Sequence, residues 1–147
     1  LLQIKKQNET KDRKYLSFID DLGVPARSLS AFVRELKAIF DDEGIPVVIY
    51  GHIGEGNLHV RPLIARENWR ETVRRLAGRC FGAVFRYNGT VAAEHGAGRN
   101  RSEAIQREWG DDVMAIMEAV KALFDPEDLM NPGFMFSGAD FTEGITF

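Results

Sequence analysis

The sequence predicts an α+β domain in which helices pack on one face of an antiparallel sheet. Apolar residues recur at helical spacing in several segments, which indicates amphipathic helices. Two short apolar runs, Val47–Ile53 and Leu58–Ile64, flank the turn-forming residues Gly54–Asn57, and this pattern is typical of a β-hairpin. Helices gathered beside an antiparallel sheet define the α+β class.

The first part of the chain is predicted to contain one strand and one helix. Residues 1–14 are polar and charge-rich, which is typical of a flexible or partly ordered start. A short strand is predicted at Tyr15–Ile19. A helix then begins at Ser28 or Ser30 and continues to about Glu43, because its apolar residues repeat at helical spacing.

The second part of the chain is predicted to be mainly helical. A long helix covers about Glu67–Phe85, and Cys80 is expected in its buried face. Residues Thr90–Ala93 are predicted to form a short strand. Two further helices follow, and the last covers about Asp111–Phe124, with its apolar residues on one face.

Composition excludes several classes of protein. The 147 residues suffice for one domain, and the net charge of −3 disfavours nucleic-acid binding. No apolar run approaches the roughly 20 residues of a membrane span, and the first residues lack the pattern of a signal peptide. A single cysteine, Cys80, cannot form an internal disulfide and favours a reducing compartment. We therefore expect a cytoplasmic protein, with a peripheral position on the inner face of the membrane as the alternative.

Two of the three histidines lie on either side of the predicted hairpin turn. If the turn consists of the four residues Gly54–Asn57, His52 and His59 stand directly opposite each other. Opposed side chains share one face with Cβ atoms about 4.5–5.5 Å apart, so two imidazoles there can bind one divalent ion. The alternative is that both histidines merely form hydrogen bonds on a half-exposed sheet.

The third histidine, His95, follows Glu94 in a segment that contains Gly96 and Gly98. Adjacent residues of a strand face opposite sides, so we expect one to complete a metal site and the other to face a substrate. Two histidines and one carboxylate with an open position are typical of catalytic zinc or manganese sites. The alternative is a capped turn with the Glu94 carboxylate in solvent.

Four segments together resemble the C-terminal domain of FAD-linked oxidases. Gly51–His59 resembles the family pattern G-H-x-G-D/E-G-N-L-H, and Thr90–Gly98 is similar to G-T-V-x-x-E-H-G-x-G. Phe124–Gly133 resembles F-D-P-x-x-x-x-N-P-G, and Phe18–Pro25 resembles F-x-E-D-x-A-V-P. The four segments occur in the family order across about residues 15–136. The branch they resemble contains the D-lactate, glycolate and D-2-hydroxyglutarate dehydrogenases among the vanillyl-alcohol-oxidase flavoproteins.

The resemblance implies an activity and the residues that perform it. A member of this family oxidises a D-2-hydroxy acid, such as D-lactate or glycolate, to the 2-oxo acid and passes the electrons to FAD. By this resemblance His52, His59 and Glu94 bind a divalent metal, zinc or manganese, that grips the substrate. His95 is then the general base that takes the hydroxyl proton.

Three further residues receive roles from the same resemblance. Asn57 and Arg61 are expected to bind the substrate. Arg61 follows His59 by two residues, so it points to the same face and could hold a second substrate carboxylate. Asn131, with the following Pro-Gly, is expected to lie toward the isoalloxazine ring of FAD.

The resemblance also implies partners outside the chain. Residues 15–147 correspond to a ferredoxin-like substrate- and metal-binding domain, and we expect an FAD-binding domain to precede Leu1. Without that domain, we expect the chain to be inactive. The expected partners are the hydroxy acid, the FAD-binding domain and an iron–sulfur domain or subunit that accepts electrons. Apolar surface exposed at Tyr15–Ile19 and toward the FAD-binding domain is expected to favour a homo-oligomer.

Two rival functions use the same residues. A non-catalytic binding subunit would keep the fold without the chemistry, although the joint presence of the histidines and Glu94 argues against it. A metal-dependent hydrolase could use the same two histidines and carboxylate. Bound flavin in the full-length protein would separate the hydrolase from the dehydrogenase.

Overall fold

The chain forms four helices and four strands within the residues that the structure, a computed structural model, describes: 2–136 and 140–147. They follow one another as α1 (Leu2–Asn8), β1 (Arg13–Tyr15), β2 (Leu22–Gly23), α2 (Leu29–Asp42), β3 (Val47–His52), β4 (Asn57–Ala65), α3 (Trp69–Arg86) and α4 (Ser102–Phe124). Short 3-10 turns occur at Ala26–Ser28, Ile53–Glu55 and Phe141–Gly144. An antiparallel sheet with packed helices confirms the predicted α+β class.

The sheet is built around β4, which pairs antiparallel with each of the other strands. The longest pairing joins β4 to β3, and shorter ones join it to β1 and β2. Side chains alternate along β4, so Leu58, Val60 and Ile64 point into the apolar core. His59 and Arg61 therefore face the opposite side of the sheet, which carries the candidate site.

The core lies between the sheet and helices α2 and α3. The buried face of α2 repeats at helical spacing and consists of Leu29, Phe32, Leu36, Ile39 and Phe40. α3 contributes Val73, Leu76, Ala77, Cys80, Phe81, Ala83 and Val84. Both helices confirm the predicted amphipathic patterns. Burial raises the pKa of the Cys80 thiol to about 12, as expected for a core cysteine.

The first twenty residues differ from their predicted structure. Residues 1–14 were predicted to be a flexible or partly ordered start, and α1 and the first two residues of β1 lie within them. The strand predicted at Tyr15–Ile19 ends at Tyr15, and the chain then continues without regular structure to β2. The apolar side chains of this segment are buried, so the prediction that it exposes apolar surface is wrong. Tyr15 ends β1, and residues 16–19 form a loop whose apolar side chains belong to the core.

Exposed apolar surface lies instead on α4. Gly110 interrupts this helix with a left-handed φ of 76°, and the two parts correspond to the two predicted helices. The second part exposes Val113, Ile116, Val120 and Leu123, which were expected to lie on one face, and it also exposes Phe124. Only Met114 of this part is buried. Neither α4 nor any other helix in the described part of the chain is long and apolar enough to cross a membrane.

An ion-pair cluster ties the end of α2 to α3. Glu43 follows α2, and its carboxylate lies 3.0 Å from Arg75 and 2.7 Å from Arg79. Hydrogen bonds from Arg75 and Arg79 hold the pKa of the Glu43 carboxyl below its ordinary value. A lowered pKa in the folded state stabilises the fold where the carboxyl is ionised, and this contribution is lost as the pH falls through that pKa.

We therefore predict that Glu43→Gln lowers the free energy of unfolding by about 1 kcal/mol at neutral pH, because both arginines are partly exposed and screened by solvent. The difference between wild type and variant should vanish at acid pH. Urea unfolding at both pH values measures it. Glu127→Gln, which changes an exposed carboxyl without an ion pair among the described residues, is the control. An equal loss in both variants would contradict the prediction.

Candidate metal and substrate site

The β3–β4 hairpin places His52 and His59 on one face of the sheet, but in a different register from the one predicted. His59 pairs with Tyr50, and His52 pairs with Asn57. The predicted direct pairing of the two histidines is therefore wrong. The four-residue turn is Ile53–Gly56 rather than Gly54–Asn57, which moves every pair by two residues. A shift of two preserves the face, so the histidines are diagonal neighbours with ring centroids 6.1 Å apart.

The turn is fixed by a glycine that no other residue can replace without strain. Ile53–Glu55 form a 3-10 turn, and Gly56 follows in the left-handed region with a φ of 76°. A Cβ atom on Gly56 would lie 1.9 Å from the carbonyl oxygen of Val24. Gly56 therefore permits both the turn and its close contact with the loop before α2, and β4 can begin at Asn57.

Glu94 lies between the two hairpin histidines. Its carboxylate oxygens are 3.0 Å from His59 Nε2 and 3.7 Å from His52 Nε2. Ligand atoms of His52, His59 and Glu94 all lie within 4.8 Å of one another. The His59 side chain is 9% exposed and that of Glu94 35%, whereas that of His52 is 58% exposed, so the cluster opens to one side.

The three side chains fit a divalent metal by their chemistry and their separation. Two ligands of one zinc ion, each about 2.1 Å from it, can be at most about 4.2 Å apart. Both distances from Glu94 to the histidines meet this limit, and the ligand atoms of His52 and His59 lie within 4.8 Å of each other. Two imidazoles and one carboxylate leave a coordination position open, and this donor set suits zinc or manganese.

His95 joins the same cluster instead of facing away from it. Its Nε2 lies 3.3 Å from Glu94 Oε1, and its ring centroid is 5.4 Å from that of His59. The expectation that Glu94 and His95 face opposite sides of a strand is wrong, because the strand predicted at Thr90–Ala93 does not form. Only Thr90 makes a β-bridge, to Gly23.

Side-chain carboxylates occupy the backbone donors that a strand would have used. The N–H of Val91 donates to Glu108 Oε2 at 2.9 Å. The N–H groups of Glu94 and His95 each donate to an oxygen of Asp21, both at 2.9 Å. With these donors bound to carboxylates, the segment bends sharply and two adjacent side chains reach one cluster.

Asp21 is the buried support of this segment. Its side chain is 0% exposed and also accepts a hydrogen bond from Asn57 Nδ2 at 3.1 Å. The Arg101 guanidinium lies 3.8 Å from Asp21. Asp21, Glu94 and His95 form a second group of close ligand atoms, but both Asp21 oxygens already accept hydrogen bonds. This makes the set of His52, His59 and Glu94 the better metal site.

The neighbouring Asp20 contacts the other side of the site. Its Oδ1 lies 3.3 Å from His59 Nδ1, without the alignment of a hydrogen bond, and its Oδ2 forms an ion pair with Arg61 at 2.5 Å. A carboxylate beside the far nitrogen of a ligating histidine favours a proton on that nitrogen and leaves the other free for a metal. Asp20 is therefore placed to orient His59.

The other residues with expected roles are placed differently. Asn57 is buried with its amide directed at Asp21, and its Oδ1 has no hydrogen-bond partner in the structure. Arg61 is engaged by Asp20. Asn131 lies in an exposed turn after α4 with a φ of 51°. No hydrogen bond or ion pair between described residues joins it to the histidine cluster, which consists of His52, His59, Glu94 and His95.

Three residues of the site received no role from the sequence. Asp20 and Asp21 stand in the segment Phe18–Pro25, whose resemblance to the family pattern included both acidic positions. That motif was the signal that could have identified them. Tyr50 lies beside His59 with ring centroids 5.1 Å apart, and no motif pointed to it.

Comparisons with known proteins identify the family to which the chain is similar. Residues 3–135 match the family described as FAD linked oxidases, C-terminal domain. A D-2-hydroxyglutarate dehydrogenase of Stutzerimonas stutzeri (strain A1501) is 32% identical over 89% of this chain and 31% of its own length. A D-lactate dehydrogenase of Archaeoglobus fulgidus is 28% identical over 82% of the chain and 27% of its own length. The glycolate oxidase subunit GlcD of Bacillus subtilis (strain 168) is 29% identical over 84% of the chain and 27% of its own length.

The chain thus spans less than a third of the length of these relatives. The family match covers nearly the whole chain, including residues 3–14 and all four residues of the histidine cluster. It also includes the segment with Asp20 and Asp21 that supports this cluster. The chain belongs to the family of the C-terminal domains of FAD-linked oxidases.

Proposed function

We propose that this chain is the substrate- and metal-binding part of a flavoprotein that oxidises a D-2-hydroxy acid, such as D-lactate or glycolate, to the 2-oxo acid. The observation that carries the proposal is the convergence of His52, His59, Glu94 and His95 in one open cluster. The relatives named as D-2-hydroxyglutarate dehydrogenase, D-lactate dehydrogenase and glycolate oxidase subunit support the reaction class.

The proposed ligands of the divalent metal are His52, His59 and Glu94. When bound, such an ion would hold the substrate carboxylate and favour loss of the hydroxyl proton. Asp20 keeps His59 oriented, and the bent segment after Thr90 keeps Glu94 between the two imidazoles. Zinc and manganese both suit this donor set, and the proposal includes either.

His95 is the proposed general base. Its side chain is 59% exposed at the edge of the cluster, so a substrate can reach it. Imidazole is the side chain best suited to exchange protons at physiological pH. The hydroxyl proton of the substrate would pass to His95, and the C2 hydrogen would leave with its electron pair to FAD, which a part of the protein outside this chain would hold. The products are the 2-oxo acid and reduced flavin.

The remaining proposed contacts require local changes or other parts of the protein. Arg61 would have to exchange Asp20 for a substrate carboxylate in order to bind it. Asn57 Oδ1 has no partner and could accept a hydrogen bond only from a group that reaches the buried end of the site. Asn131 is exposed beside Leu129 and Met130, so a neighbouring flavin-binding domain could approach this turn. An iron–sulfur domain or subunit is the proposed electron acceptor.

The dehydrogenase is favoured over a hydrolase with the same metal ligands by the family match and by the names of the relatives. Flavin content of the full-length protein tests this choice. A stoichiometric FAD that is reduced by a D-2-hydroxy acid supports the dehydrogenase. A protein that contains metal but neither binds FAD nor oxidises any hydroxy acid would contradict it.

We predict that His95→Ala and His59→Ala separate catalysis from metal binding in the full-length flavoprotein. His95→Ala should slow flavin reduction by about 10²–10⁴-fold, the usual contribution of a general base, while the metal content stays nearly unchanged. His59→Ala should lower metal occupancy and raise the KM for the hydroxy acid, because it removes the more buried ligand. Stopped-flow flavin reduction and metal analysis measure both effects.

The two variants are each other's control, since both remove one imidazole from the same cluster. The comparison is necessary because His95 lies close to the proposed metal ligand Glu94, so its removal could also disturb metal binding. If His95→Ala loses its metal and His59→Ala keeps it, the proposed division of roles is wrong, even though the family assignment stands.

A further inference from the structure

Asp21 attaches the segment after Thr90 to the rest of the domain. Three consecutive backbone N–H groups converge on this one residue. That of Ala93 donates to its carbonyl oxygen at 3.2 Å, and those of Glu94 and His95 donate to its two carboxylate oxygens, both at 2.9 Å. Successive N–H groups that point to one place form a concave site for an anion, and here the Asp21 carboxylate occupies it.

The same carboxylate reaches the strand that carries His59. Its Oδ1 accepts a hydrogen bond from Asn57 Nδ2 at 3.1 Å. Asn57 begins β4 and precedes His59 by two residues, so the two side chains point to the same face of the sheet. Asp21 therefore joins the backbone of one proposed metal ligand, Glu94, to the strand that supplies another.

The position of Asp21 is itself restricted by its surroundings. Its side chain is fully buried, and the Arg101 guanidinium lies 3.8 Å from its carboxylate. Arg101 also donates to the carbonyl oxygen of Asp20 at 2.6 Å and to that of Gly96. This guanidinium connects the residue before Asp21 to the residue after His95, so the two segments are held together on both sides of the carboxylate. A buried charge with all its partners in place makes a rigid support.

The proposed metal site leaves little room for movement of Glu94. Two ligands of one zinc ion can be at most about 4.2 Å apart, and the Glu94 carboxylate already lies 3.7 Å from His52 Nε2. Functional groups must generally be held within about 0.5 Å of their productive geometry. A small displacement of the Glu94 backbone away from the hairpin would therefore separate Glu94 from His52.

We infer that Asp21 is a positioning residue for the metal site: it sets the backbone from which Glu94 reaches the two imidazoles, and it touches neither substrate nor metal. The inference rests on the proposed function, in which Glu94 is a metal ligand. The alternative is that Asp21 is itself a ligand, because ligand atoms of Asp21, Glu94 and His95 also lie within 4.8 Å of one another. The two roles differ in the metal-free protein, where only a positioning residue would order the segment.

Asp21→Asn in the full-length flavoprotein tests this role. Asn tolerates the left-handed φ of 73° at this position, but its amide nitrogen cannot accept the N–H that one carboxylate oxygen binds. The affinity for Zn²⁺, measured by competition with a chelator, should fall by about 10- to 100-fold, the usual effect of removing a group that orients a ligand. In the metal-free protein, hydrogen exchange of the Glu94 and His95 amides should become faster.

Asp125→Asn is the matched control, because Asp125 is also buried and also accepts two backbone N–H groups, from Leu129 and Met130. It has a cationic neighbour as well, Lys121. No hydrogen bond or ion pair between described residues joins Asp125 to the histidine cluster. Asp125→Asn should therefore lower the Tm while leaving the affinity for Zn²⁺ and the exchange of the Glu94 and His95 amides unchanged.

Two results for Asp21→Asn would overturn the inference. One is a loss of Tm like that of Asp125→Asn with an unchanged affinity for Zn²⁺. The other is a weakened affinity with unchanged amide exchange in the metal-free protein, which would identify Asp21 as a ligand. If Asp21→Asn does not fold, Arg101→Gln should weaken Zn²⁺ binding by the same displacement of the segment, and unchanged affinity there would overturn the inference.

Failure of the proposed function has a different signature. If the wild-type flavoprotein binds neither Zn²⁺ nor Mn²⁺, the metal site of the proposed function is rejected, and the role of Asp21 falls with it. If the wild type binds Zn²⁺ and the variants bind it equally well, the metal site stands and only the positioning role is rejected.

Discussion

The site depends on one buried charge, the carboxylate of Asp21. It connects three segments that are distant in sequence: the loop before β2, the start of β4 through Asn57, and the backbone of Glu94 and His95. Burying a carboxylate is costly unless its oxygens are hydrogen-bonded, and here each oxygen has at least one donor, with Arg101 nearby. This requirement links the geometry of the cluster to the fold, because the donors come from the same residues that carry the site.

Sequence patterns predicted the two core helices and the hairpin, but not the register in which the hairpin strands pair. The amphipathic repeats of α2 and α3 and the hairpin of β3 and β4 were predicted correctly, because periodicity reflects burial directly. The hairpin register was not, because the choice between two four-residue turns depends on the contact between Gly56 and the Val24 carbonyl, which is distant in sequence. The histidines still share a face, since side-chain direction depends only on whether the shift is even or odd.

The residues after Thr90 show a different limit of sequence interpretation. Val91, Ala92 and Ala93 are compatible with a strand, and local propensity gives no reason to reject one. Carboxylates from elsewhere instead accept backbone donors along this segment: Glu108 accepts the Val91 N–H, and Asp21 accepts those of Glu94 and His95. A motif can therefore point to residues that converge in the structure, as Glu94 and His95 do, while the orientation derived from an assumed strand is wrong.

The adjacent residues Asp20 and Asp21 explain how one short loop supports both sides of the cluster. Asp21 has a left-handed φ, so the chain turns there and the two side chains are directed to different parts of the site. Asp20 reaches His59 and Arg61, whereas Asp21 reaches the backbone of Glu94 and His95. The loop thus contacts the buried His59 through Asp20 and supports the backbone of Glu94 through Asp21. Among the residues that the structure describes, no comparable contact supports the more exposed His52, which lies at the open end of the cluster, where the proposed substrate would enter.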